Sequence, residues 1–134
     1  MFEHGVFPNE ITLLMGTDMN LIRWVKSLLT HRGKALAQYR AGMVKANNGD
    51  YVGAIDDYSA AIRAPDIPTD VRAMATYNRA IAYSAIKEDA KAAEDLAAIL
   101  EMRGLSEEIR TAAHKRRVRM DMRHERAENE DSLE

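Results

Sequence analysis

Apolar and small residues recur along this chain at spacings of three and four, the period of a helix with one buried face. The pattern is cleanest over 51–63, where Ala54, Ile55, Tyr58, Ala61 and Ile62 share a stripe. It also runs over 34–48 through Leu36, Tyr39, Ala41, Met43 and Val44. The same spacing predicts helices over about 69–86 and 89–102, with a last one over 106–123. Helix-ending residues stand between these segments. Gly49 can take the left-handed backbone that closes a helix, and Asp50 can cap the next. Pro65 and Pro68 disfavour helical geometry in the residues before them. Gly104 ends the fourth segment, and Ser106 caps the fifth, with Glu107 and Glu108 in the first turn, where acids suit the dipole.

The pattern repeats at a step of 38 residues. Ala35-Leu-Ala-Gln-Tyr39-Arg-Ala-Gly42 falls on Ala73-Met-Ala-Thr-Tyr77-Asn-Arg-Ala80. Ala54, Asp57, Ala60 and Ile62 fall on Ala92, Asp95, Ala98 and Leu100. The step reaches a shorter third copy, in which Arg72 meets Arg110 and Arg79 meets Arg117. Each full copy is therefore two helices, and two antiparallel helices approach closely only where side chains are short. Gly42 against Ala54, and Ala80 against Ala92, are the expected contacts, with Tyr58 and Leu96 filling the space toward the next helix.

Composition narrows the picture. The 134 residues suit one domain, and with only three prolines and seven glycines they favour helix. The net charge of −2 gives no general pull toward nucleic acid. The absence of cysteine excludes disulfides, thiolate catalysis and cysteine-ligated zinc. No apolar run is long enough for a membrane-spanning helix, and no secretory signal pattern opens the chain, so a cytoplasmic location is expected.

These residues resemble the tetratricopeptide repeat, whose order of small residue, glycine, aromatic, alanine, aromatic, alanine is supplied by Gly42, Gly49, Tyr51, Ala54, Tyr58 and Ala61. The second copy supplies Ala80, Tyr83, Ala92 and Leu96. The chain departs from the pattern where Gln38 in the first copy and Thr76 in the second replace an aromatic, where Lys87-Glu88 replaces the inter-helix glycine of the second copy, and in a step four residues longer than the usual ~34. The resemblance covers residues 34–120. It implies an all-α superhelix of antiparallel helix pairs, with repeats at 35–68 and 73–104 and a closing helix at 106–123. It also implies a non-catalytic adaptor, with no cofactor, that binds a peptide or helix of another protein in a concave groove. Carried over residue by residue, the groove holds Tyr39, Arg40, Met43 and Asn47, then Met74, Tyr77, Asn78 and Ile81, with Lys115, Arg116 and Arg119 from the closing helix. The row Arg40, Asn78, Arg116 suits an acidic partner, since it could hydrogen-bond a carboxylate or an extended backbone. These residues equally suit a solvated face, and Tyr39 and Tyr77 equally suit packing.

The ends carry alternatives. Leu21, Trp24, Val25, Leu28 and Leu29 share a helical face within 19–33, read as a cap over the first repeat or as a basic amphipathic helix on a membrane surface. Residues 1–18 read as a loosely held extension. The basic face of the closing helix lacks interleaved aromatics, which disfavours nucleic acid and favours a solvated face. Residues 124–134 read as a disordered acidic tail that could fold back onto Arg116 and Arg119. Self-association into a homodimer through the repeat ends is a second class of function.

No chemistry of catalysis is legible. His4, His31, His114 and His124 form no metal-ligand spacing, and there is no phosphate loop or serine elbow. The adjacent acids Asp56-Asp57 and Glu94-Asp95 point about 100° apart on a helix, so they read as solvated faces and not as carboxylate pairs.

Overall fold

The structure is a computed structural model that describes residues 19–133, and of residues 19–32 the backbone course alone. Among the described residues there are five helices and no strand: α1 (Met19–Asn47), α2 (Tyr51–Arg63), α3 (Thr69–Ala85), α4 (Asp89–Glu101) and α5 (Glu107–Asp131). Each helix packs on the next along the chain. In addition, α1 touches α3 and α3 touches α5, while α2 and α4 do not approach each other. The helices therefore form two layers, and the layer of α1, α3 and α5 is the more closely spaced. The fold is an α-α superhelix of antiparallel helix pairs.

The turns follow from local chemistry. Gly49 takes φ +81°, and the Asp50 N–H bonds the Lys45 carbonyl at 2.9 Å, closing α1. The Asp50 carboxylate then accepts from the Gly53 N–H at 2.9 Å and caps α2. The second pair repeats the turn without glycine. Lys87 takes φ +66°, and the Glu88 N–H bonds the Tyr83 carbonyl at 2.9 Å. Lys87, Glu88 and Tyr83 stand 38 positions after Gly49, Asp50 and Lys45.

The other two connections share a device based on arginine. Arg72 Nη2 donates to the Ala64 carbonyl at 3.1 Å, and Arg110 donates to the carbonyls of Leu100 and Met102 at 3.1 and 3.2 Å. In each case a side chain from the first turns of one helix satisfies carbonyls left open at the end of the helix before it.

The core sits between the layers. Ala35, Ala61 and Ile67 are buried together under the first pair, with Tyr39 and Val71 against them. A larger cluster joins Ala73, Ala80, Ala92, Leu96, Ile99, Ala113 and Met120 across α3, α4 and α5. Small residues fill one side of each contact, so the helices lie close. Gly42 meets the Tyr58 ring, a closer neighbour than the Ala54 expected from the pattern.

Three elements differ from the expectations above. The segments 19–33 and 34–48 form one unbroken helix, because Gly33 alone costs only ~1 kcal/mol in a helix and no proline separates them. The closing helix continues to Asp131, through most of the acidic tail, since residues 105–131 contain neither glycine nor proline and are rich in Glu, Arg, Ala and Met. Its acids up to Asp131 thus belong to the helix itself and do not fold back onto Arg116. Finally, Asp95 is buried and not solvated. The extension at 1–18 and the apolar face around Trp24 lie outside the described residues and side chains.

Candidate functional site

The facing surfaces of α1 and α3 enclose a hollow of about 300 Å³ lined by Met43, Ala46, Asn47, Tyr51, Tyr58, Asn78, Ile81 and Ala82. Helical spacing explains the set. Met43, Ala46 and Asn47 lie three and four apart on α1, as do Asn78, Ile81 and Ala82 on α3, so each helix turns one short face toward the gap. The floor is aromatic. The Tyr58 ring is 2% exposed and lies 6.1 Å from the Tyr39 ring, tilted by 46°. The walls are apolar side chains and two amides, which donate and accept without bringing charge.

Asn78 Nδ2 donates to the Tyr39 hydroxyl at 3.2 Å, linking α3 to α1 beside the hollow. Tyr39 is half-buried, and burial pushes its phenol above the ordinary value although the Asn78 bond opposes the shift. Burial raises the Tyr58 phenol too, and Tyr39 adds to that shift. The Asn78 side chain keeps its carbonyl oxygen and a second N–H for other partners.

The sequence-derived residues separate into groups. Met43, Asn47, Asn78 and Ile81 meet around the hollow, and Tyr39 joins them through Asn78. Tyr77 packs on the larger core cluster. Arg40 and Met74 are exposed on α1 and α3. Arg116 and Arg119 line a second surface, on α5, with Met122, Arg123 and Arg126, and Lys115 is exposed beside them.

The structure also brings together charged residues whose pairing the sequence leaves hidden. Arg79 holds Asp95 with two bonds, Nε to Oδ2 at 2.8 Å and Nη2 to Oδ1 at 2.6 Å, and reaches Ser59 on α2 at 2.9 Å. The Asp95 hydrogen bond holds the Arg79 guanidinium above its usual range. One repeat earlier, Lys45 Nζ lies 2.8 Å from Asp57 Oδ2, which raises the Lys45 ammonium. The repeated acids at 57 and 95 were the available signal. Their cations are not in repeat register, so the step of 38 residues does not reveal the pairs.

Among the described residues no cluster of three potential metal ligands occurs, and no helix is long and apolar enough to cross a membrane.

No protein-family model matches the chain, and no solved structure matches it. Among curated proteins the chain is similar to the Photosystem I assembly protein Ycf3 of Parasynechococcus marenigrum (strain WH8102), 38% identical over 61 residues. That stretch is 46% of this chain and 35% of the relative, so the likeness spans about a third of the relative's length.

Proposed function

We propose that this chain is a non-catalytic adaptor of tetratricopeptide type, which grips a peptide or helix of another protein on the face formed by α1, α3 and α5. The observation that carries the reading is the hollow between α1 and α3. Met43 and Ile81 offer apolar contact there, while Asn47 and Asn78 offer amides that could pair with a peptide backbone. The architecture supports it, since stacked helix pairs present an extended face that no single pair has. The relative's name supports it as well, because assembling a complex means holding other proteins. Photosystem I is that relative's complex; what carries over here is the mode of action, contact with other proteins.

Affinity capture with the full chain tests the reading. The pair Met43→Glu and Ile81→Glu places two charges in the hollow, at positions only partly buried in the free chain. The variant should keep its helical circular dichroism and lose the proteins captured by the parent. Capture of the same proteins with undiminished yield by a folded variant would contradict it.

A further inference from the structure

Arg116, Arg119, Arg123 and Arg126 follow one another on α5 at intervals of three, four and three, and line one surface with Met122. At 100° and 1.5 Å per residue the row fills an arc of about 80° and runs about 15 Å along the helix. None of the four makes a hydrogen bond or ion pair with another described residue. Asp121, Glu125 and Glu128 fall on the opposite side of the cylinder; Glu130, four residues beyond Arg126, stands on the row's own side at its end, and Arg116, Arg119 and Arg123 have no acid three or four residues away. Met122 lines the same surface at the edge of the row, about 40° beyond its arc, and is 60% exposed.

We infer that this arginine row is the docking surface for a carboxylate-bearing helix of a partner protein, with acids at i, i+3, i+7 and i+10 and an apolar residue among them that covers Met122. The inference rests on the adaptor reading and names the partner's chemistry. Guanidinium groups pair with carboxylates through two parallel bonds, and four in one row reward a matching row of acids. An exposed methionine beside them rewards apolar contact, which a phosphate backbone does not supply. Nucleic acid fits less well. No aromatic stands in the row for bases to stack on, and the acidic stripe behind it repels a polyanion longer than the row.

Fluorescence anisotropy on the full chain tests this. The probe is a labelled helical peptide with glutamates at i, i+3, i+7 and i+10 and one leucine among them. Its glutamine twin and a single-stranded oligonucleotide are the comparisons. The glutamate peptide should bind saturably and weaken as salt is added. Its affinity should fall about tenfold or more in Arg119→Glu/Arg123→Glu, and about tenfold for the glutamine twin, the worth of one or two charge-assisted pairs. Both arginines are exposed, so this variant should fold. No saturable binding, equal binding of the twin, indifference to the double substitution, or tighter binding of the oligonucleotide would each overturn the inference. The two readings fail separately. Partner capture that survives Met43→Glu/Ile81→Glu sinks the hollow, whereas anisotropy that survives Arg119→Glu/Arg123→Glu sinks the row.

Discussion

The ring of Tyr58 lies against the bare Cα of Gly42: a Cβ on Gly42 would stand 2.7 Å from both Cδ1 and Cε1. The second repeat solves the same contact the other way, with Ala80 and the smaller Leu96, both fully buried. A large side chain on one helix requires a smaller one on its neighbour. Gly42→Ala should therefore destabilise the chain by about 1 kcal/mol, as overpacking outweighs the gain in helix propensity. In a Tyr58→Leu background the same change should become neutral or stabilising. Urea midpoints of the four proteins check this, and an unchanged sign across the two backgrounds would refute the packing argument.

The Arg79–Asp95 pair joins α3 to α4, and its Ser59 contact reaches back to α2. Asp95→Ala should cost about 3 kcal/mol, because it leaves a largely buried guanidinium without its acid. The double change Arg79→Met/Asp95→Leu should recover most of that loss, since an apolar pair of similar volume needs no desolvation. Equilibrium unfolding of the single and double variants separates these outcomes.

Lys87 stands in the left-handed region where the first repeat has Gly49. A side chain there costs ~1–2 kcal/mol, and glycine removes that strain at the expense of a more flexible unfolded chain. Lys87→Gly should raise stability by about 0.5–1 kcal/mol with an unchanged m-value. Gly49→Ala should lower it by a similar amount.

Both tyrosines beside the hollow have phenols raised by burial. In the unfolded chain a tyrosine loses its proton near pH 10. The folded chain holds the proton to higher pH, so this stability is fully present below pH ~10 and is lost as pH rises through the folded values. Thermal midpoints should fall above pH ~10, and Tyr58→Phe should flatten that fall. A midpoint insensitive to pH in both proteins would show that the phenols do not contribute.

Much of the fold was legible because helix boundaries are local. Gly49, Asp50, the prolines at 65 and 68, and Gly104 act on their own neighbourhoods, and the observed turns use them as read. What escaped depends on contacts between helices. Asp95 looks like any acid beside another acid, and its partner Arg79 lies 16 residues away on another helix. Arg72 and Arg110 were visible as a repeated letter, but their role as caps required the preceding helix end to be in place. The extents of α1 and α5 were underestimated for a different reason. Composition shifts near 33 and 124 resemble boundaries, yet a helix stops at a breaker or a cap and not at a change of charge. Of the candidate site, Met43, Asn47, Asn78 and Ile81 converge on the hollow, while Tyr39, which suits core or groove equally by sequence, packs against the first core cluster and bonds Asn78 beside the hollow.

Methionine methyl NMR tests the proposed docking face most directly. Met43 lines the hollow, Met74 is exposed on α3 and Met122 lines the arginine surface of α5, whereas Met102 packs on the core and Met120 is buried within it. On titration with a protein that the chain captures, the methyl signals of Met43 and Met122 should shift first and furthest, while those of Met102 and Met120 stay near their free positions. Shifts confined to Met102 and Met120, with Met43 and Met122 unmoved at saturation, would contradict the account.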